Sequence, residues 1–255
     1  MKFDAVFFDS GGTLFGPGSS LGSDPSPEEV DARRPERTAA MLKALGKEVA
    51  LEDVRARLPE CERRAKGLYG TVCTYVRTVE LLYRSFGWEE KPEEVLCVTE
   101  AYVGPRYRSW LFPGTLETIA KLHEMGLVLG VIANTAVPGW IFDRIWKGVG
   151  LLDFFSARVY SGEEGIAKPD PKIFQLAAQR AGVVGKRILY VGDVPEVDIV
   201  GAKSAGWNAA LRRSQRAGTC ELADFEFDDI RELLDYVGGE DETEMGIKSR
   251  LLRRG

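Results

Sequence analysis

From Phe112-Pro113-Gly114 onward the sequence alternates amphipathic stretches with short apolar runs, and this rhythm constrains the fold more than any other feature. Leu116–Met125 has helical spacing, Leu127–Ala133 is an apolar run of strand length, and Gly139–Lys147 is helical again. A weaker strand at Ala157–Tyr160, a helix at Pro171–Ala181 and a strand at Arg187–Val191 follow, then a helix at Asp198–Ala205 and a short strand at Asn208–Leu211. Strands and helices in this order join through right-handed crossovers. The expected class is therefore α/β, a Rossmann-like parallel sheet with helices on both faces. One further strand opens the chain: the apolar run from Phe3 to Phe8 is stopped by Asp9-Ser10-Gly11-Gly12, the pattern of a buried strand entering a tight loop.

Between that strand and the alternating region, Ser26 to Pro105 shows helical periodicity without a convincing strand. Helices are expected at Arg37–Leu45, Leu51–Lys66, Val72–Phe86 and Pro92–Tyr102, with Gly46, Gly87 and Gly104 as stops. The expected layout is an α/β core of residues 1–15 and 113–238 with an inserted all-helical cap domain at 16–112. Phe15–Asp24, rich in Gly, Pro and Ser, reads as a flexible linker, and the charged, poorly patterned residues 239–255 as a mobile tail.

A chain of 255 residues can bury a core without staples. Its four cysteines lie far apart, as expected of buried or half-buried free thiols. The one histidine, His123, falls in an amphipathic stretch and reads as a surface helix residue, which excludes a histidine-rich metal site. The net charge of −5 comes from interspersed acids and bases, so no basic stripe is present to collect nucleic-acid phosphates. Met1-Lys2-Phe3-Asp4 leads straight into the first strand and no apolar run reaches membrane-spanning length. No membrane is expected, and the cytoplasm is the expected compartment.

Ligands of open parallel sheets bind beyond the carboxyl ends of the strands. Asp9, Asn134 and Asp193 directly follow apolar strands, and Lys168 lies in the loop after Ala157–Tyr160. Two carboxylates at one sheet edge repel unless a cation separates them, and a hard divalent ion with oxygen ligands, Mg²⁺, suits that task. The amides of Ser10, Gly11 and Gly12 suit a phosphate-binding nest, while Asn134 and Lys168 offer a side-chain amide and an ammonium to the same anion. A free oxygen of Asp9 is then placed to attack phosphorus.

These segments resemble the haloacid dehalogenase superfamily. FFDSGGTLF resembles its first motif, and VIAN (131–134), GIAKPDPKIF (165–174) and YVGDVPEVDIVGAKSAGW (190–207) follow in the family's order. The helical insertion sits where that family places its C1 cap. The resemblance implies a Mg²⁺-dependent phosphohydrolase acting on a small phosphorylated substrate through an aspartyl-phosphate. In it Asp9 would be nucleophile and metal ligand, and Lys168 would bind nucleophile and phosphate. The Gly11 carbonyl and Asp193 would complete the protein ligands of the metal, with Asp198 supporting its waters. Asp198 can equally cap the helix that follows it.

Two positions depart from the family pattern. Gly11 stands where the general acid–base aspartate is expected, and Ala133 where a Ser or Thr precedes the asparagine. A positioned acid is worth roughly 10²–10⁴-fold, most for a poor leaving group. Asp24, Glu28 and Glu29 are the nearest replacement acids in sequence, and Thr135 the nearest replacement hydroxyl. Substrate-contact candidates in the insertion are Arg63, Arg64, Lys66, Tyr69, Arg106 and Arg108, with Lys43 and Lys47 as candidate Schiff-base lysines. Two other functions share the pattern: a hydrolytic dehalogenase attacking carbon with Asp9, and a non-catalytic homologue that binds metal and phosphate.

Overall fold

The computed structural model describes residues 1–16, 24–213 and 219–239. Strand β1 (Ala5–Phe8) comes first, and five helices follow before the next strand: α1 (Pro27–Ala32), α2 (Arg34–Ala44), α3 (Leu51–Tyr69), α4 (Tyr75–Ser85) and α5 (Pro92–Val103). The alternating part runs α6 (Thr115–Glu124), β2 (Val128–Ala133), α7 (Gly139–Val149), β3 (Phe155–Tyr160), α8 (Ser161–Glu164), α9 (Pro171–Arg180) and β4 (Ile188–Gly192). It closes with α10 (Val200–Ser204), β5 (Asn208–Arg212), β6 (Phe225–Phe227) and α11 (Glu232–Gly238).

The six strands form one sheet in the order β3-β2-β1-β4-β5-β6, and every neighbouring pair is parallel. Strand β1 lies between β2 and β4, with Phe8 in register with Val131 on one side and Val191 on the other. Successive side chains on a strand point to opposite faces, and both faces of this sheet are covered. Val6 and Phe8 pack with Ile119 and Leu122 of α6 and Ile141 and Trp146 of α7. Ala5 and Phe7 pack with Ile173, Phe174 and Ala177 of α9 and Ala202 of α10. The expected α/β class and Rossmann-like sheet are what the chain adopts.

In the helical insertion α2 packs on α5 and α3 on α4, burying Leu42, Val54, Leu58, Val79, Leu82 and Val98. Helix α1 starts with a capping box, Ser26 and Glu29 each bonding the other's backbone amide. One contact of the insertion with the sheet's carboxyl edge is made by a short segment before α4. The Tyr75 amide donates to the Ala136 carbonyl (2.8 Å), and the Ser161 hydroxyl to the Thr71 carbonyl (3.4 Å). Its two crossing strands of chain are tied together by Ser109 donating to Asp24 (2.7 Å) and Trp110 Nε1 donating to the Pro25 carbonyl (2.9 Å).

Several local expectations are corrected. The helix expected at Val72–Phe86 is broken: a 3₁₀ turn at Gly70–Val72 ends before extended Cys73 and Thr74, and α4 begins at Tyr75. Asp198 is neither the cap nor the first residue of a helix. It lies inside a π-helical turn, Pro195–Ile199, that runs into α10. The weak strand at Ala157–Tyr160 begins earlier, at Phe155, as an edge strand. Helix α1, strand β6 and helix α11 were not anticipated, being too short for periodicity to declare. Cys61 is buried, Cys73 and Cys220 are half-buried, and Cys97 is exposed. His123 is exposed on α6 with its ring edge against Phe154. Most of the expected linker, residues 17–23, and the tail from residue 240 lie outside the described residues.

Candidate active site

The strand order places β1 beside β4 at the point where the sheet's winding reverses, the crevice in which ligands of such sheets bind. Asp9 leaves β1 there, and Asp193 leaves β4. The two loops are laced together at their roots, the Asp9 amide donating to the Val191 carbonyl (2.8 Å). One carboxylate oxygen from each of Asp9, Asp193 and Asp198 lies within 4.8 Å of the others, and all three residues are buried.

Lys168 closes the cluster. Its ammonium donates to Asp9 Oδ1 (2.6 Å), Asp198 Oδ1 (2.7 Å) and the Tyr190 hydroxyl (2.6 Å), and its side chain is 1% exposed. Asp198 is held on both oxygens: Oδ1 accepts from Lys168, while Oδ2 accepts from the amides of Asp193 (3.1 Å) and Val194 (3.0 Å). It thereby fixes the β4 loop and the lysine together. Burial pushes the Asp9 carboxyl up to about 7, the Lys168 ammonium opposing and Asp198 and Asp193 reinforcing the shift. Burial pulls the Lys168 ammonium down, but the Asp198 and Asp9 carboxylates outweigh it, so its pKa stands raised. Tyr190 is raised well above its ordinary range, first by burial and then by the charge of Asp198, and stays a neutral hydroxyl.

The loop after Asp9 depends on two close approaches. Gly12 has φ +88°, and a Cβ there would lie 2.2 Å from Asp193 Oδ2, so only glycine fits. Its amide donates to the Phe15 carbonyl (2.7 Å), which removes it from the expected phosphate nest. Among the described residues nothing accepts from the amides of Ser10 and Gly11. Gly11 is different in kind: a Cβ there would meet nothing within 4 Å, and its φ lies outside the left-handed region. The place of the expected general acid is open space.

Asn134 has a task beyond the one expected of it. Its Oδ1 accepts from the Lys168 amide (2.9 Å) and its Nδ2 donates to the Lys168 carbonyl (2.8 Å). That clamp sets the lysine, and it leaves one amide hydrogen for a ligand. Ala133 is fully buried at the end of β2, and the neighbouring Thr135 hydroxyl accepts from the Val137 amide (3.0 Å).

These groups line a cavity of about 410 Å³ whose walls include Asp9, Ser10, Gly11, Asn134, Lys168, Asp193 and Asp198, with Phe15, Val137, Phe142 and Val197 as its apolar side. Thr135 and Asn134 also border a second cavity of about 430 Å³, lined from the insertion by Arg34, Glu62, Lys66, Tyr75 and Tyr102.

Sequence comparison agrees with this placement. The profile of a family described as haloacid dehalogenase-like hydrolase matches residues 3–206. The chain belongs to that family. It is 33% identical over 242 residues to a glyceraldehyde 3-phosphate phosphatase of Methanopyrus kandleri, spanning 91% of this chain and 96% of that protein. It is 35% identical over 144 residues to a phosphoserine phosphatase of Thermus thermophilus, where the match covers 56% of this chain and 57% of the relative. Among solved structures, a phosphatase of the family from Thermococcus onnurineus superposes with a TM-score of 0.60 at 26% identity, covering 93% of this chain and 99% of that one. A 2-haloacid dehalogenase from Pseudomonas syringae reaches 0.65 at 23% identity over 92% and 98%, a likeness that shows the fold alone. As a haloacid dehalogenase-like protein with phosphatases among its relatives, the chain is a phosphatase-type hydrolase.

Within this family member the other expected residues divide sharply. Arg106 lines the cavity beside Asp9 and Lys66 the second one. Arg63 pairs with Glu60 on the surface, the Arg77 guanidinium lies over the Tyr69 ring, and Arg108 borders a shallow pocket beside Phe112. Lys47 pairs with Glu94 (2.8 Å) and Lys43 is exposed on α2; neither lines the cavity beside Asp9, so neither is placed for a Schiff base there. Asp24 accepts from Ser109 and Glu29 closes the capping box, so neither stands in for the missing acid, nor does Glu28, exposed at the start of α1. Two contributors were not anticipated. Tyr190 seats the Lys168 ammonium; a tyrosine inside an apolar strand three residues before Asp193 was the available signal, since a buried hydroxyl seeks a partner. Arg212 donates to the Gly12 carbonyl (2.9 Å) with its guanidinium 3.7 Å over Phe112, bracing the loop after Asp9 from β5.

Proposed function

We infer that this protein is a Mg²⁺-dependent phosphohydrolase in which Asp9 is the nucleophile and the leaving group departs without help from a general acid. The observation that carries this reading is the buried group of Asp9, Asp193 and Asp198 around one lysine. Three carboxylates against a single ammonium leave two negative charges in a buried site, and a divalent cation with oxygen ligands offsets that. The residues fit such an ion. Asp9, Asp193 and the Gly11 carbonyl would hold it, with Asp198 supporting from behind because both its oxygens are engaged. Bound there, the ion would draw charge from the phosphoryl oxygens and from one oxygen of Asp9.

Lys168 holds Asp9 Oδ1, which leaves Oδ2 for attack. That oxygen bonds to phosphorus as the bond to the leaving group breaks, and the leaving group takes the electron pair. Water then attacks the phosphorus of the aspartyl-phosphate, the bond to Asp9 breaks, and phosphate leaves with the carboxylate restored. The amides of Ser10 and Gly11 and the spare hydrogen of Asn134 receive the phosphoryl oxygens, while Lys168, its three hydrogens given to Asp9, Asp198 and Tyr190, holds the nucleophile. With glycine at position 11, no side chain there protonates the departing oxygen. Acyl phosphates and aryl phosphates, whose leaving groups are stable as anions, are therefore the favoured substrates. We take residues 16–112 as a cap closing over the cavity. Glyceraldehyde 3-phosphate belongs on any substrate panel, because the relative carrying that name matches over 91% of this chain.

The test is turnover with Mg²⁺ on a panel of acetyl phosphate, 4-nitrophenyl phosphate, glyceraldehyde 3-phosphate and hexose phosphates, with Asp9→Asn beside the wild type. Hydrolysis is expected, fastest for the acyl and aryl phosphates, and absent in Asp9→Asn. Halide release from 2-haloacids without metal, or phosphate release that survives Asp9→Asn, would overturn the reading.

A further inference from the structure

We propose that Arg106, carried on the segment that returns from α5 to the sheet, binds the phosphoryl group in the cavity beside Asp9, supplying donors in place of the hydroxyl missing at Ala133 and the positive charge that Lys168 spends on Asp9 and Asp198. This rests on the phosphohydrolase reading above. The donors expected for the phosphoryl oxygens are depleted in this chain: position 133 has no hydroxyl, and Asn134, clamped to the backbone of Lys168, keeps a single spare hydrogen. Lys168 itself is held by two carboxylates, so little of its charge is left uncompensated.

Arg106 is the remaining cation among the described residues lining that cavity. Its side chain is 15% exposed, and its nearest carboxylate, Asp31, lies at 3.4 Å and is 46% exposed. Asp31 is also shared with Arg34, which holds it more closely at 2.9 Å. Nη1 of Arg106 donates to the carbonyls of Val103 (3.0 Å) and Pro105 (3.1 Å), neutral partners that orient the guanidinium without cancelling its charge. The surrounding walls, Phe15, Val137, Phe142 and Val197, exclude water from one side, which strengthens the attraction between a cation and a phosphoryl dianion. A planar guanidinium presents several donors in a fixed fork that matches phosphoryl oxygens.

Because Arg106 also ties the return segment to α1 through Asp31, the test separates charge from scaffolding. Arg106→Met, Arg106→Lys and Asp31→Asn are compared with the wild type in two measurements: binding of inorganic phosphate to the Mg²⁺-loaded protein by calorimetry, and kcat/KM on 4-nitrophenyl phosphate. Arg106→Met is expected to weaken phosphate binding at least tenfold and to lower kcat/KM by about 10²-fold, the usual cost of one lost donor to a developing anion. Arg106→Lys should recover part of both losses, Asp31→Asn should stay within about twofold of wild type, and Mg²⁺ binding should be unchanged throughout. Phosphate binding unaffected by Arg106→Met, or a loss reproduced in full by Asp31→Asn, would overturn the proposal. If the wild type hydrolyses nothing on the panel, the catalytic reading fails, and the phosphate-binding comparison still decides the role of Arg106.

Discussion

Asp9, Gly11 and Gly12 are neighbours with three separate constraints. Asp9 needs its buried partners, Gly12 needs to have no Cβ because Asp193 lies against it, and Gly11 needs neither. The space beside Gly11 allows a direct experiment at this scale. Gly11→Asp meets no atom within 4 Å at Cβ and no unfavourable backbone angle, so it should fold with stability within about 0.5 kcal/mol of wild type. If the missing acid limits turnover, the variant should gain roughly 10²-fold on hexose phosphates while changing little on acetyl phosphate. Equal gains on both classes, or none on either, would show that protonation of the leaving group is not the limiting deficit. Most of the candidate site was legible residue by residue, because Asp9 and Asp193 each follow an apolar strand directly. Tyr190, Arg212 and the clamp by Asn134 were not, since a hydrogen bond between residues 34 or 200 positions apart leaves no local pattern.

At the level of elements, one contact between the insertion and the core is the extended pair Cys73–Thr74 at the head of α4, packed on α8, beside the Arg144–Glu100 pair between α7 and α5. Gly162 is what allows this approach: a Cβ there would fall 2.7 Å from Thr74 Cγ2 and 3.0 Å from the Thr135 carbonyl. Gly162→Ala should therefore push the insertion off the sheet edge, at a cost of about 1–3 kcal/mol in stability as for other overpacked contacts. KM for the panel substrates should rise, because Thr135 borders both cavities, while Mg²⁺ affinity stays unchanged. Kinetics and a metal titration on the one variant check this; an equal loss of metal affinity would mean that the change spreads into the catalytic loops. Sequence periodicity ran a helix straight through this joint, since Val72–Phe86 has helical spacing. The break arises where the Tyr75 amide bonds the Ala136 carbonyl of the core instead of continuing a helix.

At the scale of the whole molecule, the charge cluster couples folding to pH and to metal. With its pKa raised to about 7 in the folded protein against about 4 when unfolded, Asp9 favours folding fully only below its unfolded value, and that contribution is lost as pH climbs through 7. In EDTA the wild type should therefore lose melting temperature relative to Asp9→Asn as pH rises from 4 to 8. Mg²⁺ should restore the wild type most at the alkaline end, where the carboxylate is ionised. A melting-temperature gap that is flat across this range would contradict the buried, carboxylate-flanked environment of Asp9.

Residue order alone is enough for the class of fold, the order of strands and helices along most of the chain, and the four loops that carry Asp9, Asn134, Lys168 and Asp193. Apolar periodicity and the residues that end each run are local properties, and they suffice for that. Which of these groups touch is settled by the folded chain. Asp198 locks the β4 loop to the lysine, Asn134 clamps that lysine, and Arg106 reaches the cavity from the far end of the insertion. Those contacts exist because a parallel sheet gathers the carboxyl ends of distant strands into one crevice. There, burial and charge determine what each side chain does.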